Sequence, residues 1–272
     1  MDARLQRRIQ RYGWDKAVRY YEQSWQSQLE PAQSLMLEMA DLNAGDRVLD
    51  TACGTGLVTF RAAKTVGGTG FVFGTDISDG MVQTATEAAE NRGFQNVAFQ
   101  QMDAEKLKCD PEEFDAALCA LGMMYYPDPV QSLRELHRTL KSGAQASAAV
   151  WGRRSYCGWA EIFPIVDARV ETDVCPLFFQ LGAGNSLRFA FEQAGFGQIE
   201  QERISTKLVY DSAEEASMAV FAGGPVALAY ERFDEQTRAE THEEYLDSIA
   251  PYRSGDGYEV PGEFVVVRGR KT

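Results

Sequence analysis

The chain has 272 residues, 44% of them hydrophobic and 25% charged, with a formal net charge of −13. That length and apolar share suit one folded domain with insertions and argue against global disorder. The acidic balance disfavours nucleic acid and anionic lipid as partners, and no stretch reaches the roughly 20 apolar residues needed to span a bilayer.

The five cysteines, Cys53, Cys109, Cys119, Cys157 and Cys175, are odd in number and none stands in CxxC spacing. This argues against a disulfide framework and against a zinc ribbon. The charged start of the chain has no apolar signal-peptide core. A cytoplasmic protein is the expectation. The basic runs at 4–11 and 268–271 are expected to be solvated ends.

In chain order, residues 1–44 carry aromatic and aliphatic side chains every three to four positions, including Tyr12, Trp14, Val18, Tyr21, Trp25 and Leu29. This is the period of amphipathic helices. Pro31 predicts a break between two of them, because proline suits a first turn and not a helix interior. "NAGD" (43–46) is a turn into the strand "RVLDTA", and 56–66 form a helix. "GFVFGTDI" is a strand, 79–92 a helix ended by Gly93, "VAFQQMD" a strand and "FDAALCAL" another. Residues 130–140 place Leu133, Leu136 and Leu140 on one side of a helix, and "AQASAAVWG" is the next strand. Strands separated by helices predict a mostly parallel sheet with helices on both faces.

Past residue 155 the alternation loosens. Residues 155–182 are aromatic and irregular, then Asn185 is a candidate N-cap for a helix closed by Gly195. "QIEQERISTKLVY" is a strand, 212–250 are helical with an interruption at "GGP" (223–225), and "GEFVVVRGRK" is a final strand. No internal repeat and no flexible linker divides the chain.

The stretch "VLDTACGTG" (48–56) carries the chemistry. Glycines at a strand-to-helix turn let a ligand approach the backbone. A dinucleotide fingerprint needs a third glycine, yet Thr59 stands there, and the P-loop lysine is absent too. Asp50 would also be a poor neighbour for pyrophosphate, whereas a cation would suit it. Downstream, Asp76 in "GTDIS" ends the second strand, where a carboxylate can accept hydrogen bonds from both ribose hydroxyls. Ile77 and Met81 follow as apolar contacts for ribose and adenine, and Asp103 in "QMDAEKL" follows the third strand.

Together, "VLDxxCGTG", Asp76 and Asp103 resemble the cofactor motifs of the class I S-adenosylmethionine-dependent methyltransferases. The segment 114–152 is similar to the type 11 group, which includes the C-methyltransferases of ubiquinone and menaquinone synthesis. The resemblance departs at Ala52, where the family has its first glycine, and at Thr139–Ala144, a degraded form of the family's "RxLKPGG" turn. It is strongest over 45–152.

The resemblance implies a doubly wound, mostly parallel seven-stranded α/β sheet with N-terminal helices, helical insertions and a last strand inserted antiparallel. It implies one domain over 1–272: a helical lid (1–44), a cofactor-binding core (45–152), and remaining strands with acceptor-pocket insertions (153–272). The implied cofactor is S-adenosylmethionine, whose sulfonium and ammonium would meet Asp50. The implied binding residues are Asp50, Ala52, Cys53, Gly54, Gly56, Asp76, Ile77, Met81, Asp103, Ala104, Cys119 and Ala120. Tyr12, Trp14 and Tyr21 are expected to close over it, their ring faces attracting the sulfonium.

A general base is needed only for an acceptor that is protonated in its ground state. His137 is expected to be structural or exposed, and His242 to face solvent. Tyr125 and Tyr126 are the candidates for orienting an acceptor. The insertion 155–182, with Trp159, Phe163, Phe178 and Phe179, is a candidate pocket wall, while Arg153 and Arg154 are expected to be exposed. No metal cluster is expected. The partner is a small-molecule acceptor, and the chain a monomer or homodimer. The alternatives are a non-catalytic adenosyl-ligand-binding protein or partner subunit, and a nucleotide-dependent oxidoreductase.

Overall fold

A computed structural model describes residues 2–171, 175 and 177–272. The expectations for Met1 in the lid, and for 172–174 and 176 in the insertion, fall outside the described residues. The chain opens with a long helix, α1 (Ala3–Ala40), and then alternates β1 (Arg47–Thr51), α2 (Leu57–Val66), β2 (Phe71–Asp76), α3 (Asp79–Arg92) and β3 (Val97–Gln101). Next come β4 (Phe114–Ala120), α4 (Pro129–Thr139) and β5 (Leu140–Trp151). The later part adds α5 (Ile162–Asp167), α6 (Ser186–Gln193), β6 (Phe196–Tyr210), α7 (Ala213–Phe221), α8 (Ala227–Tyr230) and α9 (Glu235–Ile249). The short β7 (Arg253–Ser254) and the long β8 (Gly257–Lys271) close the chain.

The strands lie in the order β3-β2-β1-β4-β5-β8-β6, with β7 paired only to β8. Neighbours from β3 through β5 are parallel, and β8 runs antiparallel between β5 and β6. This is the expected doubly wound sheet, with one two-residue strand added. Strand order reverses between β1 and β4, and in open α/β sheets a crevice forms beyond the carboxyl ends of the strands at that point. Val48, Leu49, Val72, Ala117 and Leu118 are fully buried, which fits strands covered on both faces.

The predicted break at Pro31 does not occur: α1 runs through it. Proline removes one helical hydrogen bond, but tertiary contacts hold the axis on either side. Before Pro31, the Trp25 indole donates to the Gly223 carbonyl at 3.0 Å, and the Gln28 amide brackets Val209, donating to its carbonyl at 2.6 Å and accepting from its N–H at 3.0 Å. After it, Met36 and Ala40 are buried and the Gln145 side chain donates to the Ala40 carbonyl.

Other local expectations are also corrected. The run at 268–271 lies within β8, where Arg268 pairs with Glu200 and Lys271 donates to the Leu140 carbonyl at 2.7 Å. Asn185 does hold the N-cap position of α6, but its side chain makes no capping hydrogen bond; its oxygen accepts from Gln201 at 3.1 Å instead. His242 is half-buried, 2.9 Å from the Tyr230 hydroxyl and stacked on Phe221, because an aromatic cluster between α7, α8 and α9 offers it a partner. His137 stacks edge-on against Phe196, a structural placement. Arg153 and Arg154 are exposed.

Candidate functional site

A cavity of about 710 Å³ opens at the switch point, beyond the carboxyl ends of β1 to β4. The β1–α2 loop forms its floor. Gly54 and Gly56 have positive φ of 56° and 91°, which lets the chain turn sharply into α2. Ala52, where a glycine was expected, also has φ +53°, a conformation costly for a residue with a Cβ. Gly122 accommodates it: a Cβ on Gly122 would lie 2.2 Å from the Ala52 Cβ. The alanine is therefore tolerated because the chain after β4 withdraws its own side chain.

Asp76 organises the loop. Its Oδ2 accepts from the Gly54 N–H at 3.0 Å and its Oδ1 from the Ser78 N–H at 2.9 Å. Burial pushes its carboxyl up to about 6, with these backbone donors opposing the shift and Asp15 adding to it. Asp15, on α1, in turn accepts from the Ser78 hydroxyl at 2.6 Å and the Gly80 N–H at 3.0 Å, tying α1 to the start of α3.

The cavity gathers twelve of the expected residues. From the core come Ala52, Gly54, Asp76, Ile77, Met81, Asp103, Ala104 and Ala120; Trp14 and Tyr21 come from α1, with Tyr125 and Tyr126 after β4. Five expected residues are not among its lining. Tyr12 points to solvent and is 48% exposed, because on α1 it lies on the face opposite Trp14 and Tyr21, so it forms no lid. Cys53, Gly56 and Cys119 sit behind the lining, Cys119 with its sulfur 3.6 Å from the Tyr126 hydroxyl.

Asp50 is the fifth, and it does not stand on the rim with the other two carboxylates. It is wholly buried beneath the loop, where its Oδ2 accepts from the Thr59 hydroxyl at 2.6 Å and its Oδ1 has no partner among the described residues. Burial pushes it up to about 7; the Thr59 bond opposes the shift and Asp76 adds to it.

The first turns of α1 bring residues that were not expected. Arg7, part of a run taken for a solvated end, reaches Asp103 at 3.0 Å and Glu105 at 2.5 Å. It lines the cavity with Gln10, while Gln6 donates to the Tyr125 carbonyl at 3.1 Å. Buried Gln6, Gln10, Gly13 and Ala17 follow one another at helical spacing. A search for apolar periodicity passes over such a stripe of amides and small residues, which is the signal that would have found it.

The Glu105 carboxylate is almost fully buried, and burial raises its pKa against the pull of Arg7 and the Asp128 N–H. Arg7→Met strands this carboxylate. The expected outcome is a loss of about 1–3 kcal/mol in urea unfolding at pH 8. The loss should shrink at pH 5, since Glu105 without its cation protonates more readily.

A second cavity, about 310 Å³, abuts the first and shares Trp14, Tyr21, Leu121 and Tyr125 with it. Burial raises the hydroxyl pKa values of Tyr21 and Tyr125, so both stay protonated and act as hydrogen-bond donors, not bases. Of the expected wall in 155–182, Trp159 lines this cavity; Phe163, Phe178 and Phe179 pack around Trp159 behind it.

Residues 42–151 match a protein family described as a methyltransferase domain. The 2-phytyl-1,4-naphtoquinone methyltransferase of Nostoc punctiforme is 35% identical over 124 residues, covering 45% of this chain and 54% of that protein. Aklanonic acid methyltransferase DauC of Streptomyces sp. strain C5 is 30% identical over 132 residues, covering 48% and 60%. The chain thus spans somewhat over half the length of these relatives. The crystal structure of the YcgJ protein from Bacillus subtilis superposes with a TM-score of 0.62 at 18% identity, covering 89% of this chain and 98% of that one, a likeness of fold. The switch-point cavity, its glycine loop and the carboxylate ending β2 lie within or directly beside the matched residues, and over that segment, 42–151, the chain is similar to methyltransferases.

Proposed function

We propose that the protein binds S-adenosylmethionine in the larger cavity and methylates a small, largely apolar acceptor held beside it. The observation that carries this reading is Asp76: a buried carboxylate at the end of β2, facing a cavity with no free cation among its lining residues. Among the described lining residues Arg7 is the one cation, and it is engaged by Asp103 and Glu105. Such a site repels a pyrophosphate and suits a ribose attached to a cationic group.

The residues fit that cofactor in kind. Asp76 would take the ribose hydroxyls, Ile77 and Met81 would flank the adenosine, and Asp103 with the Ala104 amide would face the adenine. Asp103 already receives Arg7 at Oδ2 and the Glu105 N–H at Oδ1, so an adenine amino group would share these oxygens. The unpartnered Oδ1 of Asp50 places negative charge beneath the loop, where a cation above would lower its cost. When bound, the cofactor supplies a methyl group already activated on sulfonium.

The chain contributes position and dryness: Trp14, Tyr21 and Tyr125 wall the junction of the two cavities and exclude water from it. The relatives' names, a naphthoquinone methyltransferase and an aklanonic acid methyltransferase, favour a planar, oxygen-bearing acceptor. The test is transfer of tritium from methyl-labelled cofactor to a panel of naphthohydroquinones and aromatic hydroxy acids. Label in the organic extract is the expected result. Tight cofactor binding with no product across the panel would favour the non-catalytic adenosyl-binding reading instead.

A further inference from the structure

All four tryptophans of the chain, Trp14, Trp25, Trp151 and Trp159, converge on the smaller cavity, joined by Tyr21 and Tyr125. Trp151 and Trp159 stand 4.9 Å apart, Trp25 lies 6.1 Å and 5.9 Å from them, and Trp14 is 5.3 Å from Tyr125, all in edge-to-face arrangements. The other described lining side chains are leucines, a methionine and a proline, none of them charged. At about 310 Å³ the cavity sits at the lower end of the roughly 300–1,000 Å³ of small-molecule sites, room for a fused two-ring system.

Two features narrow what enters. The Trp159 Nε1–H is buried and has no partner among the described residues, although the Trp25 indole has one in the Gly223 carbonyl. A buried, unmet donor is costly and calls for an oxygen on the ligand. Among the described residues the lining also offers no base: it has no carboxylate, histidine or lysine, and its tyrosines hold their protons.

Resting on the function proposed above, we infer that the tryptophan cavity is the acceptor site and takes a planar aromatic enolate or phenolate that has lost its proton to water before binding. The anion is held by indole and phenol donors, and its charge is balanced by the cofactor's cation across the wall of Trp14, Tyr21, Leu121 and Tyr125. An amine acceptor fits less well. It would meet aromatic faces, but an ammonium brings only donors, leaving the Trp159 N–H unmet, and it finds no carboxylate among the described lining residues.

The test is binding, read by calorimetry and by the quenching of tryptophan fluorescence, a signal that comes entirely from residues of this cavity. The probes are 2-hydroxy-1,4-naphthoquinone, an anion at pH 7.5, and its neutral 2-methoxy analogue. Each is titrated into protein loaded with S-adenosylhomocysteine, which is neutral at sulfur, or with sinefungin, which carries an ammonium in that place. The hydroxy probe should bind at least about tenfold tighter to the sinefungin complex, the ratio expected of one ion pair in a dry site. The methoxy probe should not distinguish the two complexes.

Trp159→Phe should weaken the hydroxy probe by about tenfold, as expected for the loss of one hydrogen bond to an anion. Homocysteine-cofactor affinity on the same samples reports that the variant is folded. Equal affinity of the hydroxy probe for both complexes, or tighter binding of 1-naphthylmethylammonium than of the anion, overturns the inference. Failure of either adenosyl ligand to bind overturns instead the function on which it rests.

Discussion

Replacing Asp76 with alanine is expected to weaken S-adenosylhomocysteine binding by about 10²- to 10⁴-fold at pH 8. Two hydrogen bonds to a charged acceptor contribute about 1.5–3 kcal/mol each, and every 1.4 kcal/mol is tenfold in affinity. The alanine also releases the Gly54 and Ser78 N–H groups that shape the loop, so the loss is expected at the upper end. Asp76→Asn keeps the shape and removes the charge, and a loss nearer tenfold is expected. Calorimetric titration of both variants decides the point: unchanged affinity would mean that the cavity serves another ligand.

Affinity should depend on pH in a defined direction. The Asp76 carboxyl is raised to about 6. A protonated carboxyl accepts more weakly than a carboxylate, so wild-type affinity should be flat above pH 7 and fall as the pH drops through 6 toward 5.

The second large effect concerns Asp50. Its pKa is raised from 3.8 to about 7, first by burial. The folded state therefore holds this proton more tightly than the unfolded chain does. The sign follows from linkage: its contribution to stability is most favourable below about pH 4, declines as the pH rises to about 7, and is flat beyond. The total is on the order of 4 kcal/mol at 1.36 kcal/mol per pH unit.

Asp50→Asn removes that charge, and its side-chain oxygen can still accept from Thr59. The amide N–H that replaces the unpartnered Oδ1 costs about 1–2 kcal/mol. A net gain of about 2 kcal/mol at pH 8 is expected, seen as a rise of about 5 °C in the melting temperature of the cofactor-free protein. No gain is expected at pH 4 to 5. A variant equally destabilised at both pH values would show that Asp50 carries no buried charge. Retention of a carboxylate that destabilises the empty protein is consistent with a cationic ligand above it.

The cofactor half of the molecule was legible because its signals are local. "RVLDTA", "GFVFGTDI" and "VAFQQMD" are short apolar runs closed by carboxylates, and the helix expected at 79–92 is α3 residue for residue. The antiparallel last strand was legible through family resemblance and not from its own pattern. Pro31 misled because helix-breaking is a local tendency of about 3 kcal/mol, which contacts of Trp25 and Gln28 with distant backbone overcome. His242 misled because an acidic stretch of helix reads as solvated, whereas Tyr230 and Phe221 enclose the ring.

The sequence by itself determined the order of strands and helices and the convergence of Asp76 and Asp103, since side-chain periodicity and glycine turns are written into neighbouring residues. Tertiary structure alone decided that Asp50 lies beneath the loop, that Arg7 faces Asp103, and that Ala52 is admitted by Gly122. It also brought tryptophans from positions 14, 25, 151 and 159 into one cavity. Those contacts join segments far apart in the chain, and their energies come from burial and pairing between surfaces that no local pattern describes.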